Sequence, residues 1–150
     1  MVKRCFLLLA GTLLAPALWA GEPATAAEPV KMTVYKSPTC GCCAKWVEYL
    51  EERNFDVSVV DQANLQTVRG QLGVGPQLQS CHTAVVDGYA IEGHVPAEDN
   101  LRLLMERPAV AGLAAPGMPP NSPGMMSVEP RGYDVLTFTR SGETTKYASY

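Results

Sequence analysis

The chain has 150 residues, 47% of them hydrophobic and 18% charged, with a net charge of -3, which fits one globular domain rather than several or a disordered tail. Twelve Lys and Arg against fifteen Asp and Glu leave no basic excess to neutralise phosphates, and no Lys/Arg run or aromatic-interleaved basic stripe occurs, so nucleic-acid binding is excluded. The five cysteines are the anomaly, because an odd number suits no disulfide framework and three crowd into Cys40-Gly41-Cys42-Cys43.

At the N-terminus, Met1-Val2-Lys3-Arg4 precedes an almost wholly apolar run from Cys5 to Ala20 and then small, Ala-rich residues. That is the layout of a secretory signal peptide, expected over residues 1–26 with its end between 20 and 27. The apolar run is shorter than the 18 or so residues of a membrane anchor, and Pro16 interrupts it. The processed chain, residues 27–150, is therefore expected to be a single periplasmic domain that does not span a membrane. Cys5 leaves with the peptide, and so do Lys3, Arg4 and Glu22, which makes the remainder mildly acidic. Cys40, Cys42, Cys43 and Cys81 remain in an oxidising compartment, where free thiols pair or are protected by a metal.

Lys31 to Tyr35 alternates apolar and polar and stops at Ser37-Pro38, so it reads as a strand running into a turn. From Ala44 to Asn54 the pattern turns helical, with Trp46, Val47 and Leu50 on one side, so the helix begins at the cysteines. Phe55–Val60 is a second strand, and Ala63–Leu72 a weaker helix ended by Gly73. Thr83–Val86 and Ala90–Gly93 flank Asp87-Gly88, a hairpin signal. Pro96 opens a helix that ends before Pro108. Gly112–Pro130, rich in Pro and Gly and carrying Met118, Met125 and Met126, is expected to be a loop throughout, and its length points to function. Tyr133–Thr139 and Glu143–Tyr147 form a closing hairpin.

The predicted order is an α/β sandwich with a Cys-x-x-Cys, Cys40 to Cys43, where the first strand meets the first helix. This placement resembles the thioredoxin and glutaredoxin architecture, and the segment from Cys81 to Gly93 resembles the glutaredoxin hairpin beside the cysteine turn. In that family a cis-proline stands where this sequence has His82. The departure weakens ordinary disulfide exchange as a reading and brings a fourth sulfur, Cys81, toward the other three. The expected fold is a thioredoxin-like sandwich with a Met/Pro/Gly loop and an extra C-terminal hairpin.

Soft sulfur ligands select Cu(I), zinc or iron–sulfur clusters over hard cations. Three cysteines within four residues depart from the two separated knuckles of a four-cysteine zinc site, and such crowding suits thiolates that bridge several Cu(I) ions. Met118, Met125 and Met126 offer thioethers, which favour Cu(I), and His82 and His94 offer imidazoles, which bind either oxidation state of copper. Bland readings stand beside these: a Met fills a gap over the core, a histidine makes a structural hydrogen bond, and Cys40 with Cys43, or Cys81 with one of the trio, forms a stabilising disulfide. No haem motif, flavin fingerprint or nucleotide loop is present, so an oxidoreductase role needs an external redox partner.

Tyr35–Trp46, Ser80–Ala84, Ile91–Ala97, Pro116–Pro119 and Ser122–Met125 together resemble the exported metal-binding proteins long grouped as a domain of unknown function, including the CopG type found with bacterial copper-resistance genes. The resemblance implies a thioredoxin-like periplasmic protein that binds copper through Cys40, Cys42, Cys43 and Cys81 and interconverts Cu(I) and Cu(II), with other periplasmic copper-resistance proteins as partners. A thiol–disulfide oxidoreductase using Cys40 and Cys43, and a structural zinc module, are the alternatives.

Overall fold

Alternation at Met32, Val34 and Lys36, the inward positions of Val30–Lys36, makes that segment a strand. The computed structural model describes residues 27–125 and 132–150, so the expected export segment and Met126 lie outside the described residues. In chain order the elements are β1 (Val30–Lys36), α1 (Gly41–Glu51), β2 (Phe55–Asp61), α2 (Gln66–Leu72), a 3-10 turn at Pro76–Leu78, β3 (His82–Val86), β4 (Tyr89–Glu92), α3 (Ala97–Glu106), β5 (Gly112–Ala114), β6 (Asp134–Phe138) and β7 (Thr144–Ser149). The strands form one seven-stranded sheet in the order β2-β1-β3-β4-β5-β6-β7. β1 runs parallel to β2 and β4 parallel to β5, and the other neighbours are antiparallel.

Side-chain alternation sorts the helices onto two faces. Met32, Val34, Ala84, Val86, Ile91, Leu113 and Val135 of the sheet share one core with Trp46, Val47 and Leu50 of α1 and Ala97 and Leu103 of α3. Ala90, Ala114 and Phe138, one residue out of step, pack on the other face with Val74 and Leu78 from the segment after α2. The hairpin between β3 and β4 turns on Asp87 and Gly88, both at positive φ, as a two-residue turn requires.

Two sequence expectations change. Gly112–Pro130 is not loop throughout: Gly112, Leu113 and Ala114 form β5 between β4 and β6. Three residues are too few to show a period, and burial on both faces, rather than propensity, makes them a strand. The second helix begins only at Gln66 rather than Ala63, whereas the first begins at Gly41, at the cysteines as expected. Among the described residues no helix is long and apolar enough to cross a membrane.

Candidate metal centre

β1 delivers the chain to the turn Ser37–Cys40, and Cys40 stands at the N-terminal boundary of α1 in extended conformation. Cys42 and Cys43 therefore lie in the first helical turn, whose N–H groups have no acceptor within the helix and carry the positive end of its dipole. Cys43 is fully buried and Cys40 and Cys42 are half-buried. Cys40 and Cys43 are joined by a disulfide, one of the pairings the sequence leaves open, while Cys42 and Cys81 are free thiols. Cys42 Sγ lies 3.5 Å from Cys40 Sγ and 3.9 Å from Cys81 Sγ. The four sulfurs lie within 4.8 Å of one another, and so do the ligand atoms of Cys81, His82 and His94.

Cys81 arrives from the opposite side, just before β3. His82, the first residue of β3, faces the α1 side of the sheet and packs against Trp46, with ring centroids 4.3 Å apart. Trp46 in turn donates its indole N–H to the Val95 carbonyl at 2.9 Å. His94 follows β4, its ring 5.1 Å from that of His82. Its Nδ1 is 2.6 Å from the Pro123 carbonyl oxygen; a carbonyl only accepts, so Nδ1 carries the proton and Nε2 keeps its lone pair. That lone pair lies 3.0 Å from Cys81 Sγ, and the thiol donates to it. Burial pushes His82 down to about 3, with His94 adding to the effect, and burial also lowers His94. Burial and then the neighbouring Cys42 push the Cys81 thiol up to about 12. Without a cation the pocket thus holds neutral imidazoles beside a protonated thiol; a bound cation supplies the charge that would hold the thiolate.

A buried ion pair holds the chain leading into Cys81. Glu92 Oε1 accepts from Arg69 Nη2 at 2.7 Å, from Arg69 Nε at 3.1 Å and from the Ser80 backbone N–H at 2.7 Å, while Oε2 accepts from the Thr83 hydroxyl at 2.6 Å. Arg69 Nη2 also donates to the Ser80 carbonyl at 2.6 Å, so both polar groups of the Ser80 backbone are held by one pair. Gly93 crosses this region at φ 74°, where a Cβ would lie 2.6 Å from both Ala115 O and Ser80 Cβ. Only glycine admits that approach.

The Met-bearing segment after β5 packs over the same end of the sheet. Gly117 bridges to Ser80, and Ser80 donates its hydroxyl to the Gly117 carbonyl. Gly124 sits on the first turns of α1, where a Cβ would lie 2.7 Å from Trp46 N and 2.9 Å from Cys42 O. Met118, half exposed, lines an open cavity of about 330 Å³ with Ser80 and Cys81. Met125 lines one of about 350 Å³ with Gly41, Cys42 and Lys45. Each thioether therefore shares a cavity with a free cysteine, and Met118 does not fill a core gap. The larger cavity of about 590 Å³ includes Lys31, Asp87 and Arg107 in its lining, and none of its lining residues is a cysteine, histidine or methionine.

The structure thus gathers Cys40, Cys42, Cys43, Cys81, His82 and His94 at one end of the sheet and sets Met118 and Met125 at its margins. Sequence reasoning missed Arg69, Glu92, Ser80 and the Pro123 carbonyl. A visible signal for the pair was a carboxylate at position 92 beside apolar Ile91 in a short strand, with one arginine in the preceding helix.

The donor set fits copper: thiolates and thioethers for Cu(I), imidazoles for either oxidation state. The family model "Protein of unknown function, DUF411" matches residues 78–125. A solved structure described as the copper resistance protein CopG, form 1, is 44% identical, superposes with a TM-score of 0.77 and covers 82% of this chain and 98% of its own. Form 2 of that protein is 43% identical, with a TM-score of 0.77 and coverage of 82% and 99%. No curated protein matches the chain significantly.

Proposed function

The chain belongs to the DUF411/CopG-type family, and from that premise we propose that it is a periplasmic copper-handling protein whose four thiolates, once the disulfide is reduced, take Cu(I). The observation that carries this reading is the convergence of Cys40, Cys42, Cys43 and Cys81 within 4.8 Å. Four sulfurs so close can bridge more than one Cu(I), and Met118 and Met125 stand where an arriving or leaving ion would pass. The strand–helix placement of Cys40 and Cys43, with β3 and β4 beside it, supports a thioredoxin-like reading of the fold. The N-terminal residues 1–26 act as the export signal, and the processed remainder works as a single unit.

Copper is the cargo. Copper(I) binds as the thiols lose their protons to solvent, and the Arg69–Glu92 pair keeps Cys81 facing the helical cysteines. Reduction of the Cys40–Cys43 disulfide to two thiols takes two electrons and two protons from an external periplasmic reductant, and interconversion of Cu(I) and Cu(II), which belongs to this proposal, exchanges one electron per ion with an external partner.

Anaerobic Cu(I) titration of the reduced protein tests the reading. The wild type should bind tightly, and Cys42→Ser with Cys81→Ser should lower affinity on the order of a hundredfold, at least the upper range seen when an outer-shell partner is lost. One tight equivalent retained by the double variant sinks the four-thiolate site.

A second reading has its own observation. The Cys40–Cys43 disulfide pairs a half-buried with a buried cysteine, as thiol–disulfide exchange requires of an attacked and a resolving sulfur. It predicts reduction of insulin by the metal-free dithiol with little loss on Cys81→Ser. A structural zinc module is separated from both by metal content after growth with copper or with zinc.

A further inference from the structure

Aromatic side chains of α1 and the C-terminal hairpin form a line that leaves the sulfur and imidazole pocket. Trp46, fully buried, packs its ring against His82 with centroids 4.3 Å apart, and it is the only tryptophan among residues 27–150. Tyr49 stands three residues on in the same helix, where side chains are neighbours. Both reach the segment between β4 and α3: Trp46 donates to the Val95 carbonyl at 2.9 Å, and the Tyr49 hydroxyl accepts from the Ala97 N–H at 3.1 Å. The Tyr49 hydroxyl donates to Glu98 Oε2 at 3.1 Å, and the next carboxylate, Asp99, accepts from the Tyr150 hydroxyl at 2.8 Å. Tyr150 stacks on Tyr133 with centroids 5.1 Å apart and planes 17° from parallel. Tyr133 packs against the same core as Tyr49 and lies within its electrostatic reach. The line thus starts at His82, beside Cys81, and ends at Tyr150, which is 43% exposed. Packing alone asks only that a covered phenol find some partner. A carboxylate is also a base, and it can take the phenol proton when the ring loses an electron.

We propose that Trp46, Tyr49, Tyr133 and Tyr150 carry single oxidising equivalents from this pocket to the C-terminal surface, with hydrogen peroxide as the oxidant, and so spare the cysteines. The proposal rests on the copper reading above and goes beyond it. Splitting the O–O bond of peroxide into two waters takes two electrons and two protons, and Cu(I) gives only one electron. With no second donor the product is a hydroxyl radical beside the sulfurs, which drives them up the oxidation ladder. Here the second electron comes from Trp46, which is refilled from Tyr49 as the phenol proton passes to Glu98. Tyr49 is refilled from the Tyr133–Tyr150 pair and recovers its proton from Glu98, while the Tyr150 proton passes to Asp99 and on to water. The balance is one peroxide, one Cu(I), one phenol and one solvent proton giving two waters, one Cu(II) and one phenoxyl radical. At the surface a soluble enediol returns one electron and one proton to Tyr150.

The first test needs no metal. The full chain with Trp19→Phe, which leaves Trp46 as its one indole, is photoionised by an ultraviolet pulse at the red edge of indole absorption and followed by transient absorption. The tryptophanyl band should decay as a tyrosyl band rises, and added ascorbate should quench the tyrosyl. Tyr49→Phe keeps the ring and removes the oxidisable phenol, so the tyrosyl rise should be lost. Tyr89→Phe, at the hairpin end of β4, should leave it unchanged. If Tyr49→Phe does not fold, Tyr133→Phe with Tyr150→Phe carries the test, since the radical should then stay on Tyr49 and outlast ascorbate. Absence of a tyrosyl rise in the parent chain, a rise that survives Tyr49→Phe, or ascorbate quenching unchanged in the double variant overturns the route. The second test gives peroxide to reduced, Cu(I)-loaded protein and follows cysteine oxidation by mass spectrometry. Tyr49→Phe should lose its thiols faster than the parent, and equal loss overturns the protective role. Failure to take up Cu(I) sinks the copper reading and the peroxide step with it, whereas Cu(I) uptake without radical transfer sinks only the route.

Discussion

Glu92 and Asp134 are carboxylates in similar company and opposite settings. Glu92 accepts from the Thr83 hydroxyl, the Ser80 N–H and Arg69 with none of its side chain exposed. Asp134 accepts from the Ser149 hydroxyl at 2.6 Å and pairs with Lys146 at 2.9 Å on the outer hairpin, with 42% of its side chain exposed. Burial outweighs the partners of Glu92 and raises its carboxyl, whereas Asp134, in water, is lowered by Ser149 and then Lys146. The same hydrogen bonds therefore serve different ends. Under Cys81 they offset the cost of a buried charge and fix a backbone in place; on the hairpin they make a small gain at a surface that is already solvated.

The largest effect should come from breaking the buried member. Glu92→Ala leaves Arg69 unpaired and the Ser80 N–H without an acceptor, and loss of one partner of a buried pair costs about 3–5 kcal/mol. Urea unfolding measures it. Replacing both Arg69 and Glu92 by Met should cost far less, because no charge is then stranded. If Glu92→Ala costs no more than an exposed pair, under about 1 kcal/mol, water reaches this pair and the contrast with Asp134 collapses.

That brace explains what the sequence could and could not tell. Cys40-Gly41-Cys42-Cys43 announces itself because the spacing is local, and the Asp87-Gly88 turn folds β4 back along β3, carrying His94 toward Cys81. Met118 and Met125 are legible as soft donors, although their positions beside Cys81 and Cys42 depend on Gly117 and Gly124 meeting distant backbone. Arg69 and Glu92 look like surface residues of a helix and a strand, and become internal only because the α2 segment covers that face of the sheet. β5 hides in a Pro/Gly-rich stretch for the same reason: three residues become a strand once neighbours on both sides supply the ladder. The disulfide partner of Cys43 was beyond local pattern as well, since three other cysteines lie within reach.

Between the two carboxylates in burial stands Asp99 on α3. Its side chain is 5% exposed, it pairs with Arg102 at 3.0 Å, and it accepts from the Tyr150 hydroxyl at 2.8 Å. Burial raises this carboxyl against the opposing pull of Tyr150 and Arg102. Asp99→Ala should cost about 1–3 kcal/mol, the penalty for partners left without an acceptor, and less than Glu92→Ala because Arg102 reaches water. The sign of its pH dependence follows from the raised value. Between the unfolded carboxyl's value of about 3.9 and the higher folded one, the native state binds the proton more tightly. The associated stability is complete below that window and fades as pH rises through the folded value. Asp99→Asn, which keeps an acceptor for Tyr150, should flatten that fall in chemical denaturation series; an unchanged slope would mean that burial does not govern this carboxyl.

Asp134 should give the smallest effect, and one of opposite sign. Its folded value is lowered, so its contribution is complete above about 3.9 and is lost as pH falls through the folded value. The order of causes makes a finer test. The Ser149 hydrogen bond is the largest single pull on Asp134, and Lys146 adds a hydrogen bond and a smaller charge attraction, so Ser149→Ala and Lys146→Met should each flatten the acid limb of stability, read by circular dichroism in parallel acid titrations. Added salt should shrink the Lys146 effect and leave the Ser149 effect in place, since screening weakens a charge pair in water much more than a short hydrogen bond. A Ser149 effect that fades with salt as much as the Lys146 effect would make Coulomb attraction the stronger hold at this edge and bring the hairpin pair closer in kind to the one beneath Cys81.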